Sequence, residues 1–345
     1  MALFVAPDIG IDLGTSNTLV YVKGEGIVVS EPSVLLIDPS QKHSVVAIGD
    51  DAQLLWGRTG ANTTVIYPLR EGAITDFEMT VSMIRSFIRR AIGSSYLLGP
   101  KILLSIPCSI SSIEKRAVSE AALLAGGRKN NIRLIEKPFV AALGSGLPVY
   151  DAVGNMIVDI GGGTTDIAVI SLGGIVIHQS IRVGGNKMDE AIIDYVKHSF
   201  NIEISAKTAE DVKFDLGSAL PDTEDHAIRI RGRDTITNLP HETRLTSHHV
   251  YEALSEPCLA ILFAIKKVLD NTPPELSADI MKNGIFLTGG GSALKQMDQL
   301  IANEIDIPVF LARDPLSSTI LGHGYLIENQ ELMLQLNRNG LLNNQ

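Results

Sequence analysis

The chain has 345 residues, 45% of them hydrophobic and 20% charged, which is enough for two globular domains with sizeable cores. Its formal net charge of −10 argues against nucleic-acid binding, which needs a basic surface, and allows only a mainly apolar contact with an anionic membrane. No apolar run reaches the roughly 18 residues that a transmembrane helix needs, and Cys108 and Cys258 are typical of buried thiols in a reducing cytoplasm.

The first predicted element is a β-hairpin with a phosphate-binding turn. Residues 9–22 (IGIDLGTSNTLVYV) contain two apolar runs joined by a turn rich in glycine and hydroxyl groups. Such a turn lets bare backbone N–H groups converge on an anion. Asp12 ends the first run and is predicted to bind Mg²⁺ through water, because this ion keeps several waters and takes one or two carboxylates. The candidate phosphate ligands are Gly14, Thr15, Ser16 and Asn17.

A helix, a loop and a strand are predicted next. Apolar residues at helical spacing indicate a helix over about 78–93, and KILLSIP (101–107) is typical of a short buried strand. A serine cap with an acid in the first turn predicts another helix within residues 111–127. The intervening loop GSSYLLGP (93–100) has three apolar side chains that either stay exposed at its tip or cap the local core. These residues are Tyr96, Leu97 and Leu98.

A second hairpin repeats the arrangement of the first. Residues 156–170 (MIVDIGGGTTDIAVI) again place an aspartate, Asp159, at the end of an apolar run and before glycines and hydroxyls. Either turn alone fits an ordinary hairpin equally well, but two in the same register favour a nucleotide clamp between two related α/β domains. Asp159 is the second candidate for water-mediated Mg²⁺ binding. The candidate phosphate ligands are Gly161, Gly162, Gly163, Thr164 and Thr165.

Two helices are predicted over about 187–200 and 208–219. In TAEDVK, Thr208 and Asp211 predict a capping box. This start places Glu210 and Lys213 three residues apart on one face of the helix. Both side chains are candidates to bind the ribose hydroxyls or the purine edge of a nucleotide, and the alternative is an ordinary surface ion pair.

The last predicted elements are a long helix over about 247–270 and a strand–turn–helix unit, IFLTGGGSALKQMDQLI (285–301). Glycines that open a helix direct N–H groups and the positive end of the helix dipole at a polar or anionic ligand. The alternative is a tight strand-to-helix turn. The tail after about residue 330 is polar and is predicted to fray. The candidate ligands are Gly289, Gly290, Gly291 and Ser292.

These elements, in this order, resemble the actin and heat-shock-chaperone ATPase superfamily, and the segments between them are similar to the MreB/Mbl family of bacterial actin homologues. The resemblance extends from about residue 8 to 328. It implies an α/β fold, the actin-like duplicated ATPase-domain fold, with four subdomains around a central nucleotide cleft. The segments that carry it are EPSV (31–34), PLREGAITDFEMT (68–80), EKRAVSEAALLAG (114–126), AALGSGLPV (141–149), MDEAIIDYVK (188–197), PPELSADI (273–280) and DPLSSTILGHG (314–324).

The same resemblance divides the chain into two halves and a tail. Each half contains a large subdomain and a small one. The predicted boundaries are 1–144 for half I, with subdomain IA and a small IB at about 33–66; 145–330 for half II, with IIA at 145–182 and 246–320 and IIB at 183–245; and 331–345 for the polar tail.

The resemblance also implies a function. Members hold ATP and Mg²⁺ in the cleft and polymerise with copies of themselves into filaments attached to the cytoplasmic membrane. The filaments guide cell-wall synthesis together with membrane proteins of the elongation machinery, and they set rod shape. The tip of loop 93–100 would insert into the membrane, and MALFV (1–5) would add a second apolar contact. The expected location is therefore cytoplasmic, at the inner face of the membrane.

Two departures from the family pattern concern ATP hydrolysis. Where the family has Glu-Glu-Pro or Asp-Glu-Pro, this chain has Glu136-Lys137-Pro138, so an ammonium replaces the carboxylate expected to polarise the attacking water. A protonated lysine cannot accept a hydrogen bond from that water. Glu136 is a poor substitute, because adjacent residues on an extended segment point to opposite faces. Gln53 stands where a lysine that neutralises the γ-phosphate is common, while Thr164, the expected partner in positioning the water, is retained.

The resemblance leaves open whether the chain is a normal hydrolysing filament protein or a paralogue with weak hydrolysis that modulates other filaments. A chaperone ATPase of the superfamily would need a further substrate-binding domain, which we do not expect here. A small-molecule kinase would need an acceptor pocket with a catalytic aspartate, and the sequence suggests no candidate besides Asp12 and Asp159. Asn186 and His323 also depart from the family pattern and receive no predicted role.

Overall fold

The structure is a computed structural model, and it describes residues 5–41, 44–55, 63–221, 224, 226–338 and 342–344. The strands are β1 (Ile9–Leu13), β2 (Asn17–Val22), β3 (Gly26–Pro32), β4 (Leu35–Asp38), β5 (Ser44–Ile48), β6 (Thr64–Ile66), β7 (Leu69–Arg70), β8 (Ala73–Ile74), β9 (Ile102–Ile106), β10 (Ile132–Glu136), β11 (Asn155–Ile160), β12 (Thr165–Ser171), β13 (Gly174–Ile181), β14 (Ile202–Glu203), β15 (Ala227–Asp234), β16 (Pro240–Thr246), β17 (Ile285–Thr288), β18 (Val309–Leu311) and β19 (Asn343–Asn344). The helices are α1 (Asp50–Leu55), α2 (Phe77–Ile92), α3 (Ser112–Leu124), α4 (Lys137–Gly144), α5 (Gly185–Phe200), α6 (Ala206–Leu216), α7 (Ser247–Asp270), α8 (Pro274–Asn283), α9 (Met297–Ile305), α10 (Ser318–Glu328) and α11 (Gln330–Arg338).

Two large sheets have the same strand order. In the six-stranded sheet, β3, β2 and β1 form an antiparallel meander, and β1 continues into the parallel strands β9 and β10. In the five-stranded sheet, β13, β12 and β11 form the same meander, and β11 continues into the parallel strands β17 and β18. The predicted duplication of an α/β domain is therefore confirmed.

The apolar runs of the sequence are buried because helices cover the large sheets. In the first half, Ile11 of β1 and Leu104 of β9 pack in one core with Phe87 of α2, and each is at most 1% exposed. In the second half, Val158 of β11 packs in a separate core with residues of α5 and α7. Strands buried on both faces are near-continuous apolar runs, as these are.

Two helices cross where the halves meet, and glycines make the crossing possible. A Cβ at Gly144 of α4 would lie 1.8 Å from the carbonyl oxygen of Ser318, and one at Gly322 of α10 would lie 1.9 Å from that of Val140. Side chains are therefore excluded at both positions. Helix α4 also packs against β9 and β10 of one sheet and β11 and β12 of the other. Its first residue, Lys137, is thereby placed at the junction of the two halves.

Three small sheets complete the described fold. Strands β5, β4 and β6 form one three-stranded sheet, β14, β15 and β16 form another, and β7 and β8 form a two-stranded hairpin. The hairpin turn is Glu71-Gly72, and both residues have positive φ, at 49° and 76°. A two-residue turn of this kind needs positive φ at both positions, which glycine tolerates best.

The prediction that the tail frays is wrong. Residues after 330 form α11, and β19 pairs with β10 at the edge of the six-stranded sheet. Leu336 is 0% exposed and Leu342 is 4% exposed, so two leucines within a polar segment are enough to attach it to the core. Among the helices of the described residues, none has both the length and the apolar character needed to cross a membrane.

Candidate functional site

The two glycine-rich turns have the same hydrogen-bonded geometry. Gly14 N–H donates to the carbonyl oxygen of Asn17 at 3.1 Å, and Gly161 N–H donates to that of Thr164 at 2.8 Å. Asp12 lies two residues before the first of these glycines, and its side chain is largely buried. The aspartate of the second hairpin occupies the equivalent position, so the common register predicted from the sequence is confirmed.

The tips of the two hairpins contact each other and two other elements. Ser16 Oγ donates to Asn186 Oδ1 at 2.9 Å, which connects the first hairpin to α5. Gly72 N–H, in the β7–β8 turn, donates to Thr15 Oγ1 at 3.1 Å. A Cβ at Gly162 would lie only 2.0 Å from Ser16 Oγ, so the close approach requires glycine. The sequence pattern predicts no role for Asn186 and does not distinguish Gly72 from other turn glycines.

The ammonium group of Lys137 lies between the two aspartates. Its Nζ is 3.6 Å from Asp12 Oδ1 and 3.6 Å from Asp159 Oδ2. Asp12 Oδ1 also accepts a hydrogen bond from Ser105 Oγ at 2.7 Å. Neither carboxylate oxygen of Asp159 has a hydrogen-bond partner among the described residues. Burial lowers the pKa of Lys137, but the charges of the surrounding aspartates outweigh it and hold the pKa above its ordinary value. Lys137 is therefore protonated at neutral pH.

A third aspartate, Asp166, was missed by sequence analysis. It is 1% exposed and lies opposite Asp159 across the β11–β12 ladder. Its carboxylate accepts hydrogen bonds from Thr164 Oγ1 at 3.0 Å and from Ser180 Oγ. Asp166 therefore orients the hydroxyl of Thr164. The available signal was an acidic residue at the start of a strand whose next residues are apolar, because a buried carboxylate needs partners.

The third glycine segment, residues 289–292, lies with its backbone against the cluster formed by Lys137, Asp12, Asp159 and Asp166. Gly289 has a φ of 81°, and a Cβ there would lie 2.3 Å from Asp159 Oδ1. Residues Gly290–Ala293 form a short 3₁₀ turn, and α9 begins only at Met297. The predicted order of strand, glycine turn and helix is confirmed, but the prediction that these glycines open the helix and present its dipole is wrong, because they precede α9 by several residues. The tight turn, which was the alternative, packs directly on Asp159.

Known proteins share both the sequence and the fold of this chain. A profile of the family described as MreB/Mbl protein matches residues 6–335. The chain belongs to the MreB/Mbl family. It is 44% identical over 326 residues to the cell shape-determining protein Mbl of Bacillus subtilis, covering 94% of this chain and 97% of that protein. It is also 44% identical over 325 residues to the cell shape-determining protein MreB of Escherichia coli K12, covering 93% of each.

A crystal structure of MreB5 of Spiroplasma citri bound to AMPPNP matches this MreB/Mbl chain with a TM-score of 0.88. The two sequences are 33% identical, and the match covers 97% of this chain and 99% of that one. The fold is therefore actin-like, as the sequence predicted.

The paired aspartates of this MreB/Mbl chain do not fit a divalent metal ion in the observed arrangement. Asp12 and Asp159 were the residues predicted to hold Mg²⁺ through its waters. Mg²⁺ requires near-octahedral oxygen surroundings at about 2.0–2.1 Å, and the Lys137 ammonium lies where those waters would meet the carboxylates. In the described part of the chain, no group of three or more His, Cys, Asp or Glu residues could hold a metal ion.

Helix α6 starts differently from the prediction. Ser205, not Thr208, is its N-cap residue, and Ser205 Oγ accepts a hydrogen bond from Thr208 N–H at 3.1 Å. The predicted capping box is therefore wrong. Glu210 pairs with Lys207 at 3.0 Å on the exposed side of the helix. Burial and, after it, the charge of Glu210 raise the pKa of Tyr67, so α6 lies near the first half of the chain.

Lys213 forms contacts within the protein. Its Nζ lies 2.7 Å from Asp189 Oδ1 and donates to the carbonyl oxygen of Gly185 at 3.0 Å. Burial raises the pKa of Asp189 to about 6, and Lys213 opposes this shift. Gly185 N–H in turn donates to the carbonyl oxygen of Gly161 at 2.9 Å. Lys213 therefore supports the second glycine turn from behind, through the start of α5.

Gln53 and Glu136, the other residues considered for hydrolysis, lie on separate elements. Gln53 is exposed on α1, which packs against β3, β4 and β5. Glu136 is the N-cap residue of α4 and makes no capping hydrogen bond. Burial and, after it, the charges of Asp166 and Glu136 raise the pKa of Cys108, so both carboxylates lie near that thiol.

His323 packs behind the site. It is 0% exposed, and its Nδ1 donates to the carbonyl oxygen of Thr319 at 2.9 Å. A Cβ at Gly10 of β1 would lie 2.6 Å from the Cβ of His323, so the histidine fills space against that strand. Burial lowers the pKa of His323, which keeps the imidazole neutral at neutral pH.

Asp159 is expected to make the protein less stable as the pH rises. Burial raises its pKa from 3.8 to about 6, although Lys137 opposes the shift. At a pH between the unfolded and the folded pKa, Asp159 is protonated in the folded protein and ionised in the unfolded chain. Protonation of Asp159 therefore stabilises the folded state fully below the unfolded pKa, and this contribution is lost as the pH rises through about 6. We expect Asp159→Asn to remove up to about 3 kcal/mol of this pH dependence. Urea denaturation of wild type and Asp159→Asn at about pH 4.5 and 7.5 measures the free energy of unfolding at each pH. If this free energy changes equally with pH in the two proteins, the prediction is contradicted.

Proposed function

We propose that this chain binds ATP in the cleft between its two hairpins and forms filaments on the inner face of the cytoplasmic membrane, where they organise cell-wall synthesis and determine rod shape. The observation that carries the proposal is the pair of identically hydrogen-bonded turns at Gly14 and Gly161, which face each other from two related sheets. Converging backbone N–H groups suit a polyphosphate. The names of the Mbl and MreB relatives, and the AMPPNP bound to MreB5, support it.

The nucleotide would lie with its phosphates between the two turns and its nucleoside near α6. Residues 14–17 and 161–165 would bind the phosphates through N–H and hydroxyl groups. Glu210 is a candidate to bind the ribose hydroxyls. Its ion pair with Lys207 is exposed to solvent and contributes little stability, so the carboxylate can leave it for a ligand. Lys213 would act by holding the second turn in place, and residues 289–292 would close the site beside Asp159.

We further propose that this protein hydrolyses ATP slowly. In hydrolysis, water attacks the γ-phosphorus and gives a proton to a base, while the bond from that phosphorus to the β,γ-bridging oxygen breaks. Lys137 stands where the family resemblance places the water-polarising carboxylate, and a protonated lysine has no lone pair for that proton. A filament paralogue that stays bound to ATP and modulates other filaments is the second candidate function, and Lys137 is the observation that favours it.

Contact with the membrane would be made by the loop tip and the N-terminal segment together. Tyr96, Leu97 and Leu98 are 36%, 78% and 43% exposed, and an exposure of 78% does not fit a residue that caps a core. Val5 forms a parallel β-bridge with Leu98, and Ala6 N–H donates to the Leu98 carbonyl oxygen at 3.2 Å. The remaining residues of the predicted N-terminal contact, 1–4, lie outside the described residues.

Assembly into filaments would make this small apolar surface effective. A few inserted side chains give only marginal membrane binding, but a filament presents many copies of them at once, and avidity rises steeply with the number of linked sites. Head-to-tail contacts that do not close into a ring generate such open filaments.

Sedimentation and liposome flotation test the proposed function. We expect wild type to pellet with ATP and to float with liposomes, and we expect Leu97→Ser/Leu98→Ser to pellet equally while losing flotation, because the apolar tip is removed. The control is Ile236→Ser/Leu239→Ser, which changes two residues that are 75% and 64% exposed on another turn. Wild type that neither binds ATP nor pellets would overturn the filament proposal. Undiminished flotation of the loop variant would overturn the membrane contact.

A further inference from the structure

A buried ammonium group connects the two halves of the site. Lys137 Nζ lies 3.6 Å from Asp12 on β1 and 3.6 Å from Asp159 on β11, which belong to different sheets. The three side chains are only 17%, 9% and 2% exposed. Buried carboxylates are costly unless a positive charge compensates them. The cluster therefore needs a cation, and Lys137 supplies one from the chain itself.

The backbone that carries this ammonium is held in place. Lys137 is the first residue of α4, and Pro138 restricts the backbone immediately after it. The next two residues, Phe139 and Val140, are 1% and 0% exposed. The far end of α4 crosses α10 at Gly144 with no space for a side chain. The cation is therefore a fixed part of the protein, whereas a metal ion would exchange with solvent.

The ammonium still has hydrogen-bonding capacity for a ligand. Its distances to Asp12 and Asp159, 3.6 Å each, exceed the usual hydrogen-bond range of about 2.7–3.2 Å. Lysine has three N–H donors, so its bonds are not fully committed to these carboxylates. Asp159 is itself fully buried, without a hydrogen-bond partner for either oxygen in the described residues. A compact ammonium in such a position suits a phosphate oxygen.

We propose that the Lys137 ammonium takes the place of a divalent cation between Asp12 and Asp159, so that this chain binds nucleoside triphosphates without Mg²⁺. The inference rests on the proposed nucleotide site. A divalent ion brought in with the nucleotide would meet the ammonium, and repulsion between like charges would cancel much of its attraction to the two carboxylates. Mg²⁺ therefore adds little to binding.

Equilibrium binding of a fluorescent ATP to the full chain, with excess EDTA or with MgCl₂ at equal ionic strength, tests the proposal. For wild type we expect Kd values that differ by no more than about threefold, because binding involves no linked metal ion. For Lys137→Met we expect binding in EDTA to weaken by about tenfold or more, through loss of a charge-assisted contact. MgCl₂ should restore part of that loss, because the aspartates are then free to interact with the metal.

Melting of the nucleotide-free protein gives a second readout. Mg²⁺ should leave the Tm of wild type unchanged and raise that of Lys137→Met, in which the two carboxylates face each other without a cation. The matched control is Lys266→Met, which removes a lysine paired with Glu304 at 3.0 Å on the surface. Its Tm should not respond to Mg²⁺.

The outcomes separate the inference from the proposed function. If wild type binds ATP tightly only with Mg²⁺, the inference is overturned and the nucleotide site stands. If no nucleotide binds under either condition, the proposed function fails and the metal-free binding inferred from it fails as well. If Lys137→Met does not fold, the comparison of wild type in EDTA and in MgCl₂ still decides the inference.

Discussion

Replacing Lys137 with methionine is expected to lower the free energy of unfolding in EDTA by about 3–5 kcal/mol, because the substitution leaves buried carboxylates without their counter-charge. Asp12, Asp159 and Asp166 are each at most 7% exposed, so in EDTA no cation replaces the ammonium. Methionine is long, flexible and apolar, and it fills the space of the lysine stem. The loss therefore reports charge more than packing. Urea denaturation followed by circular dichroism at neutral pH measures it.

Two comparisons decide whether this loss is electrostatic. Lys266→Met breaks an exposed pair with Glu304 and should cost less than about 1 kcal/mol. Adding Asp159→Asn to Lys137→Met should recover part of the stability, because one of the uncompensated charges is removed. If Lys137→Met is as stable as wild type in EDTA, Lys137 is not the counter-ion of the cluster. If the double variant recovers nothing, the loss comes from packing.

The hairpins could be predicted from the sequence because their signal is local. Glycines and hydroxyls between two apolar runs specify a turn, and the aspartate before each turn has a fixed place in the register. The duplicated sheet followed from finding this arrangement twice. The same local logic located α3, where Ser111 and Glu114 form a capping box. In these elements the pattern and the structure depend on the same few consecutive residues.

The parts of the site that escaped prediction depend on distant contacts. Lys137 was recognised as unusual, but its position between Asp12 and Asp159 follows from the crossing of α4 with α10. Asp166 stands between the threonines of the turn and the apolar run 167–170, so its pairing with Asp159 and Ser180 depends on the strand register. At α6, both Ser205 and Thr208 can cap a helix, and the sequence alone did not separate them. Gly72 reaches Thr15 only because the β7–β8 turn folds onto the first hairpin.

Lys137→Glu is expected to raise the rate of phosphate release from ATP by about 10²–10⁴-fold, the usual contribution of a positioned base. The new carboxylate can accept the proton of the attacking water, which the ammonium cannot do. Thr164, which we propose helps to position that water, has its Oγ1 oriented by a hydrogen bond to Asp166 at 3.0 Å. Phosphate release by both proteins with ATP and MgCl₂ measures the gain. Circular dichroism in the same buffer confirms that the variant is folded, since it lacks the buried cation.

Lys137→Gln is the matched control, because glutamine has the shape of glutamate without its charge. If the gain comes from a base, the glutamine variant should release phosphate no faster than wild type. Equal gains in both variants would mean that removing the ammonium is sufficient and that the water obtains its base elsewhere, with Glu136 the nearest candidate in sequence. Wild type that already matches Lys137→Glu would overturn slow hydrolysis. Lys137→Gln removes the positive charge beside Asp12 and Asp159, and Lys137→Glu removes the same charge and adds a base. Comparing the two variants therefore separates the effect of losing the ammonium from the effect of gaining a base for the water.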